Sequence, residues 1–294
     1  MLGLKRGAVQ LCQHETAWEL EAQKTISRLH GILGIAAKDI QHVGSTSIIG
    51  IKAKPIIDIA VAVDDFHDVL VLEQELKENG FYYRPSRLKG QLLFACGSYY
   101  DGSGNLQTHF VHVVLKDSME WINYINFRDY LNQRPAVAKE YETLKLSLAN
   151  TVPRNDGREK YTEGKRDFIA RTLRKALAYS YLGKKVEIKI DRPMGSSHPV
   201  YKDTIYQVNY GYIPDVLGGD DKELDVYLLG VEEPVTEYLV HIIAVIHRYD
   251  DVEDKLVAAP LGMNFVCAEI ADAVAFVEQY YDSEIEMFIE EEQR

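Results

Sequence analysis

Around Gly183 the chain changes texture, and that change limits the folds open to it. Up to Leu182, helical periodicities alternate with short apolar runs. Beyond it, brief β-rich segments follow one another, cut by Gly, Pro and Asp, with a single helical stretch near the end. Two folding units are expected, 1–183 and 184–294, in keeping with a 294-residue chain. Charge divides at the same place. There are 24 Lys+Arg against 21 Asp+Glu up to Gly183, a balance of +3, and 9 against 24 beyond it, a balance of −15, giving −12 in all. So acidic a second unit repels nucleic-acid backbones, which need Lys and Arg to neutralise phosphate.

In the first unit, Thr16 and Glu19 have capping-box spacing, and Ala22, Ile26, Leu29 and Leu33 step along one helix face as far as Gly34. Residues 56–63, IIDIAVAV, form an apolar run with one carboxylate, a buried strand. A helix over 66–77 stops at Asn79-Gly80, strands follow at 91–96 and 109–115, and helices are expected at 119–131, 137–149 and 158–182. In the second unit the expected strands are 186–190, 204–212, 224–230, 240–248 and 256–259, with a helix over 268–281. Many short strands plus a terminal helix describe a small barrel or curled sheet.

The first chemical constellation is His42-Val43-Gly44-Ser45-Thr46, a short link containing Lys54, and then Asp58. The spacing is not that of a Walker A loop. A Gly-Ser turn opening toward an acidic strand residue resembles the nucleotidyltransferase superfamily. There the turn and its serine hold triphosphate oxygens, and strand carboxylates hold metals. HVGSTSIIGIKAKPIIDIAVAV, THFVHVV, FRDYL and YTEGKRDFI together resemble the GrpB (UPF0157) family of nucleotidyltransferase-like proteins over about residues 10–175. Two departures stand out. Ala60 replaces the second carboxylate, and His112 stands where a third is expected, with His109 on the opposite face. Gly44, Ser45, Lys54, Asp58 and His112 are the candidate site, with Lys165 a further candidate phosphate contact.

The second constellation is YQVNYGYIPDVLGGDDKELDVYLLG, from Tyr206, followed by HRYDDVEDKLVAAP, from His247. Clustered Asp oxygens suit Mg²⁺, which neutralises pyrophosphate and lowers the pKa of an attacking water. Read singly, each acidic run is a solvated turn. Taken together and in order, they resemble soluble family I inorganic pyrophosphatases. The resemblance implies an OB-type barrel with Asp220, Asp225, Asp250 and Asp254 as Mg²⁺ ligands. It also implies Tyr210 and Lys255 as phosphate contacts and, with Asp225, as the catalytic set; Arg192 is a candidate phosphate contact, and Asp221 a candidate base beside the middle position. Lys222 occupies the position of the middle aspartate, and Tyr280-Tyr281 lack the lysine expected beside them.

The fold expected is therefore an α/β (α+β) nucleotidyltransferase-like mixed sheet with helices, followed by a small, mainly β barrel with a terminal helix. The expected activity is Mg²⁺-dependent hydrolysis of pyrophosphate, a small phosphate-containing substrate, beside a first domain of unassigned substrate. The alternatives are a degenerate site that binds Mg²⁺ and a phosphate metabolite, and a nucleotidyltransferase-like accessory role, for example in a coenzyme A pathway. Cys12, Cys96 and Cys267 are too few and too scattered for a disulfide scaffold, and no apolar run is long enough to span a membrane. A reduced, cytoplasmic location is expected.

Overall fold

The computed structural model describes residues 2–85, 89–218, 222–251 and 253–289. The chain divides into two compact units, Met1–Ala170 and Arg171–Arg294.

In the first unit the strands are β1 (Leu4–Lys5), β2 (Ala37–Val43), β3 (Ile57–Val63), β4 (Tyr82–Arg84), β5 (Gln91–Cys96), β6 (Leu106–Gln107) and β7 (His109–Leu115). The helices are α1 (Ala17–Leu33), α2 (His67–Leu70), α3 (Glu73–Glu78), α4 (Ser98–Asp101), α5 (Met119–Gln133), α6 (Pro135–Thr151) and α7 (Arg158–Glu163), with α8 (Arg166–Tyr181) starting here. The main sheet runs β2-β3-β7-β5-β4; β3 and β7 are parallel and the other pairs antiparallel, a mixed sheet. Alternation along β3 sends Ile57, Ile59, Val61 and Val63 into the core formed with Trp18, Ala22, Leu29 and Leu33 of α1. Asp58 and Ala60 project from the other face.

Three expectations are corrected in this unit. Thr16 makes no capping contact, because it already has helical φ and ψ, and Glu19 bonds His14 Nε2 at 3.0 Å. The single helix expected at 66–77 is two short ones, α2 and α3. The long helix expected over 158–182 is interrupted at Gly164-Lys165, where glycine's weak helix propensity permits a break.

In the second unit β8 (Lys185–Arg192), β9 (Asn209–Leu217), β10 (Glu223–Leu228), β11 (Glu237–Arg248) and β12 (Lys255–Pro260) are followed by α9 (Cys267–Glu278) and β13 (Ser283–Met287). The sheet order is β12-β10-β9-β8-β11-β13, and β12 also pairs with β11. Among the described residues, five strands thus close into a barrel, with β13 added outside β11. The strand expected from Thr204 begins only at Asn209. There the Asn209 side chain receives Met194 N–H and donates to the carbonyls of Val231 and Glu233, tying three segments together at the strand's start. Gly211 lies where a Cβ would run into the Lys189 carbonyl of β8, which accounts for the glycine in the Asn-Tyr-Gly-Tyr motif. The core joins Tyr206, Tyr210, Tyr227, Ile246 and Val257 to Ile270, Val274 and Phe276 of α9 and its surroundings.

Candidate functional sites

In the first unit the turn after β2 is held from several sides. Arg128 of α5 donates to the His42 carbonyl at 3.0 Å, and Asn132 donates to the Ser47 carbonyl at 3.0 Å while accepting from Ile49 N–H at 2.9 Å. Farther along, Glu142 of α6 accepts from Lys52 N–H at 2.8 Å, and Lys145 donates to the Lys52 carbonyl at 2.5 Å. Gly44 has φ +70°, and a Cβ there would lie 2.7 Å from Asp58 Oδ2. Only glycine satisfies both the left-handed backbone and the close approach. Asp58 Oδ1 lies 3.2 Å from His112 Nε2, two neighbouring strands presenting them on one face. His109 faces the other way, toward Thr25 of α1 at 3.2 Å. Burial lowers the pKa values of His42 and His109 to about 4.

Ser45, Lys54 and Asp58 line a cavity of about 140 Å³ together with Gln107, Phe110, Arg158, Tyr161 and Lys165. The ammonium groups of Lys54 and Lys165 lie 4.1 and 5.0 Å from the Tyr161 ring centroid. Arg158 donates to Gln107 Oε1 at 2.9 Å. Burial, reinforced by Lys165 and Arg158, lowers the Lys54 pKa to about 7 against the opposing pull of Asp58. Sequence reading named Gly44, Ser45, Lys54, Asp58 and His112. It missed Arg158 and Tyr161, whose helix α7 carries no spacing that marks them as facing a cavity.

In the second unit Asp225 opens the inward face of β10, and the parallel neighbour β12 sets Lys255 beside it. Lys255 Nζ donates to Asp225 Oδ2 at 2.6 Å and also to Glu253. The Tyr210 hydroxyl is hydrogen-bonded to Asp225; burial, followed by that carboxylate, raises its pKa well above 10, so it remains a donor. Arg192 lies 4.9 Å from the Tyr210 ring and bonds the Tyr206 hydroxyl at 3.0 Å. Asp191 is pushed up by burial and then, against Arg192, by Asp225 and Glu223, so several carboxylates share this neighbourhood.

Asp254 faces away from that group. Its oxygens bond His247 Nδ1 at 2.6 Å and Arg248 N–H at 3.2 Å. Asp250 is exposed and accepts Asp282 N–H at 3.0 Å. Asp220 and Asp221 lie outside the described residues. The structure therefore brings Asp225, Lys255, Tyr210 and Arg192 together, and adds Glu253, which sequence reading passed over. Strand alternation was the available signal: two residues before Lys255 lies Glu253, whereas Asp254 lies on the opposite face.

Among the described residues no group of three or more His, Cys, Asp or Glu is placed to hold a metal ion. Asp225 and Glu253 do supply two hard oxygen donors. Such a pair suits Mg²⁺ arriving with a phosphate ligand, because Mg²⁺ typically takes one or two carboxylates plus substrate phosphates and water. It does not make a resident metal centre by itself. Also among the described residues, no helix is long and apolar enough to cross a membrane, and Cys12, Cys96 and Cys267 are free thiols.

A mixed-sheet domain with a partly buried Gly-Ser turn, joined to a five-stranded barrel with an acidic-basic strand cluster, defines the class. Residues 8–175 match the GrpB protein family and residues 178–293 match the inorganic pyrophosphatase family. The chain belongs to the GrpB family. It is 42% identical to glutamate-rich protein GrpB of Alkalihalophilus pseudofirmus over 175 residues, covering 59% of this chain and 98% of that one. The crystal structure of conserved protein GrpB from Enterococcus faecalis is 30% identical, with a TM-score of 0.53, covering 58% of this chain and 99% of that one. An inorganic pyrophosphatase from Neisseria gonorrhoeae is 23% identical over 33% of this chain and 74% of its own, with a TM-score of 0.28.

Proposed function

We propose that the second unit binds pyrophosphate together with Mg²⁺ and hydrolyses it to phosphate. The observation that carries this reading is the Asp225–Lys255–Glu253 cluster, set beside Tyr210 and Arg192. Asp225 is partly open to solvent while Glu253 and Lys255 are buried, so a ligand reaches the cluster through Asp225. Tyr210 and Lys255 fix the Asp225 carboxylate from two directions. Arg192, half-buried over the tyrosine rings, places a cation that can meet a phosphate oxygen. When bound, Mg²⁺ neutralises phosphate oxygens and lowers the pKa of an attacking water. Asp225 and Glu253 would hold the ion, and Lys255 would take up phosphate charge.

The test is phosphate release from pyrophosphate by the full chain with Mg²⁺. Release should fall to background in Asp225→Ala; equal release by wild type and Asp225→Ala would refute the reading. A second reading, binding without turnover, is favoured by Lys222 at the middle position of the acidic triad. Saturable Mg²⁺-dependent pyrophosphate binding by calorimetry, with no phosphate released, would select it.

A further inference from the structure

The cavity of the first unit is electrostatically unlike the site just described. Lys5, Lys54, Arg158 and Lys165 line it, and Asp58 is its carboxylate among the described lining residues. Among the described residues, Lys54, Arg158 and Lys165 form no ion pair with a carboxylate; they rest instead on Tyr161, Phe110 and Gln107. Asp58 is engaged by His112. Concentrating partly buried cations without a matching acid is costly unless something else supplies the negative charge. Basic groups outnumber the one carboxylate, and a bound phosphoryl anion would offset that surplus of positive charge.

Size narrows the ligand further. About 140 Å³ is small beside the roughly 300–1,000 Å³ of sites that enclose a drug-sized molecule. A phosphoryl group fits, but a base and ribose would have to remain outside. Ser45, on the turn at the cavity wall, adds a hydroxyl 3.3 Å from the Tyr141 hydroxyl and able to donate to an anion. Asp58 has Ala60 two residues on and His112 opposite, so the strand carboxylates needed to carry an ion are missing here.

We propose that this cavity is a metal-independent phosphoryl site in which Lys54, Arg158 and Lys165 hold the anion and Ser45 hydrogen-bonds it. The ligand is either a free phosphate anion or the terminal phosphate of a nucleotide, and in both cases the bound chemistry is the same. Lys54 is the centre of the cluster, with Arg158 and Lys165 both acting on it across the cavity.

The full chain in EDTA is the material for the test, with inorganic phosphate, tripolyphosphate and ATP as probes. Lys54 of the wild-type chain, which lines the cavity, should be labelled by an amine reagent and protected by at least one probe, as read by peptide mass spectrometry. Protection by inorganic phosphate or tripolyphosphate assigns a free anion; protection by ATP alone assigns a nucleotide phosphate. Calorimetric affinity should drop about tenfold or more in both Arg158→Gln and Lys165→Gln, and stay unchanged in Lys24→Gln, an exposed lysine of α1. The proposal fails if no probe protects wild-type Lys54, or if protection requires Mg²⁺. It fails equally if Arg158→Gln and Lys165→Gln bind as wild type, or if Lys24→Gln loses binding to the same extent. The labelling arm uses wild type only, so a variant that misfolds does not leave the question open.

Discussion

The two candidate sites of this chain carry opposite charge. In the first unit, Lys54, Arg158 and Lys165 crowd a small cavity with Asp58 as their counter-charge among the described lining residues. In the second, Asp225 and Glu253 flank Lys255, and Asp191 and Glu223 add to the negative field. A cation-rich cavity attracts an anion directly. An acid-rich one repels it until a divalent ion intervenes. Two domains can therefore serve related ligands while differing in their need for metal.

The sharpest way to break this contrast is Lys255→Met. Removing the buried ammonium leaves Asp225 and Glu253 without their shared cation, at an expected cost of about 3–5 kcal/mol without divalent ions. Millimolar Mg²⁺ should restore part of that loss and should raise the melting temperature of the variant more than that of wild type. Equal shifts in the two proteins would show that the carboxylates do not share an ion.

Acid should weaken the first unit through its histidines. His42 and His109 have folded pKa values near 4 against 6.5 unfolded. The unfolded chain therefore gains protons first as pH falls, and stability present above pH 6.5 is lost on the way down to about 4. Each histidine accounts for up to about 3 kcal/mol of that loss. His42→Gln and His109→Gln should each flatten the decline of denaturant-derived stability between pH 6.5 and 4. An unchanged slope in both would remove the histidines from the account.

A smaller effect is expected from Gly44→Ala. The methyl group would meet Asp58 and force a left-handed alanine, a strain of about 1–2 kcal/mol. Thermal melting measures the cost. A wild-type melting temperature would show that the turn and Asp58 are not in the close contact on which the first site is built.

Much of this was legible in sequence. The apolar run around Asp58 announced β3, and Asn-Tyr-Gly-Tyr with Lys-Leu-Val-Ala-Ala-Pro marked β9 and β12 of the barrel. Strand β2 went unread because Ala37–Val43 mixes exposed Lys38 and Asp39 with buried Ile40 and Val43. Strand β13 was hidden in an acidic stretch, SEIEM, that becomes a strand by pairing with β11. Thr16 and Glu19 had the right spacing for a cap, yet His14 took the carboxylate.

Periodicity, turn chemistry and charge are local properties, so the sequence by itself set the two-part organisation, the two families and the roster of reactive side chains. Which carboxylate meets which cation depends on strand register and on helices distant in the chain. Only the folded structure could put Glu253 rather than Asp254 beside Lys255, or gather Arg158 and Lys165 around Lys54. Electrostatic contacts act over a few ångströms in space, and no spacing along the chain encodes them.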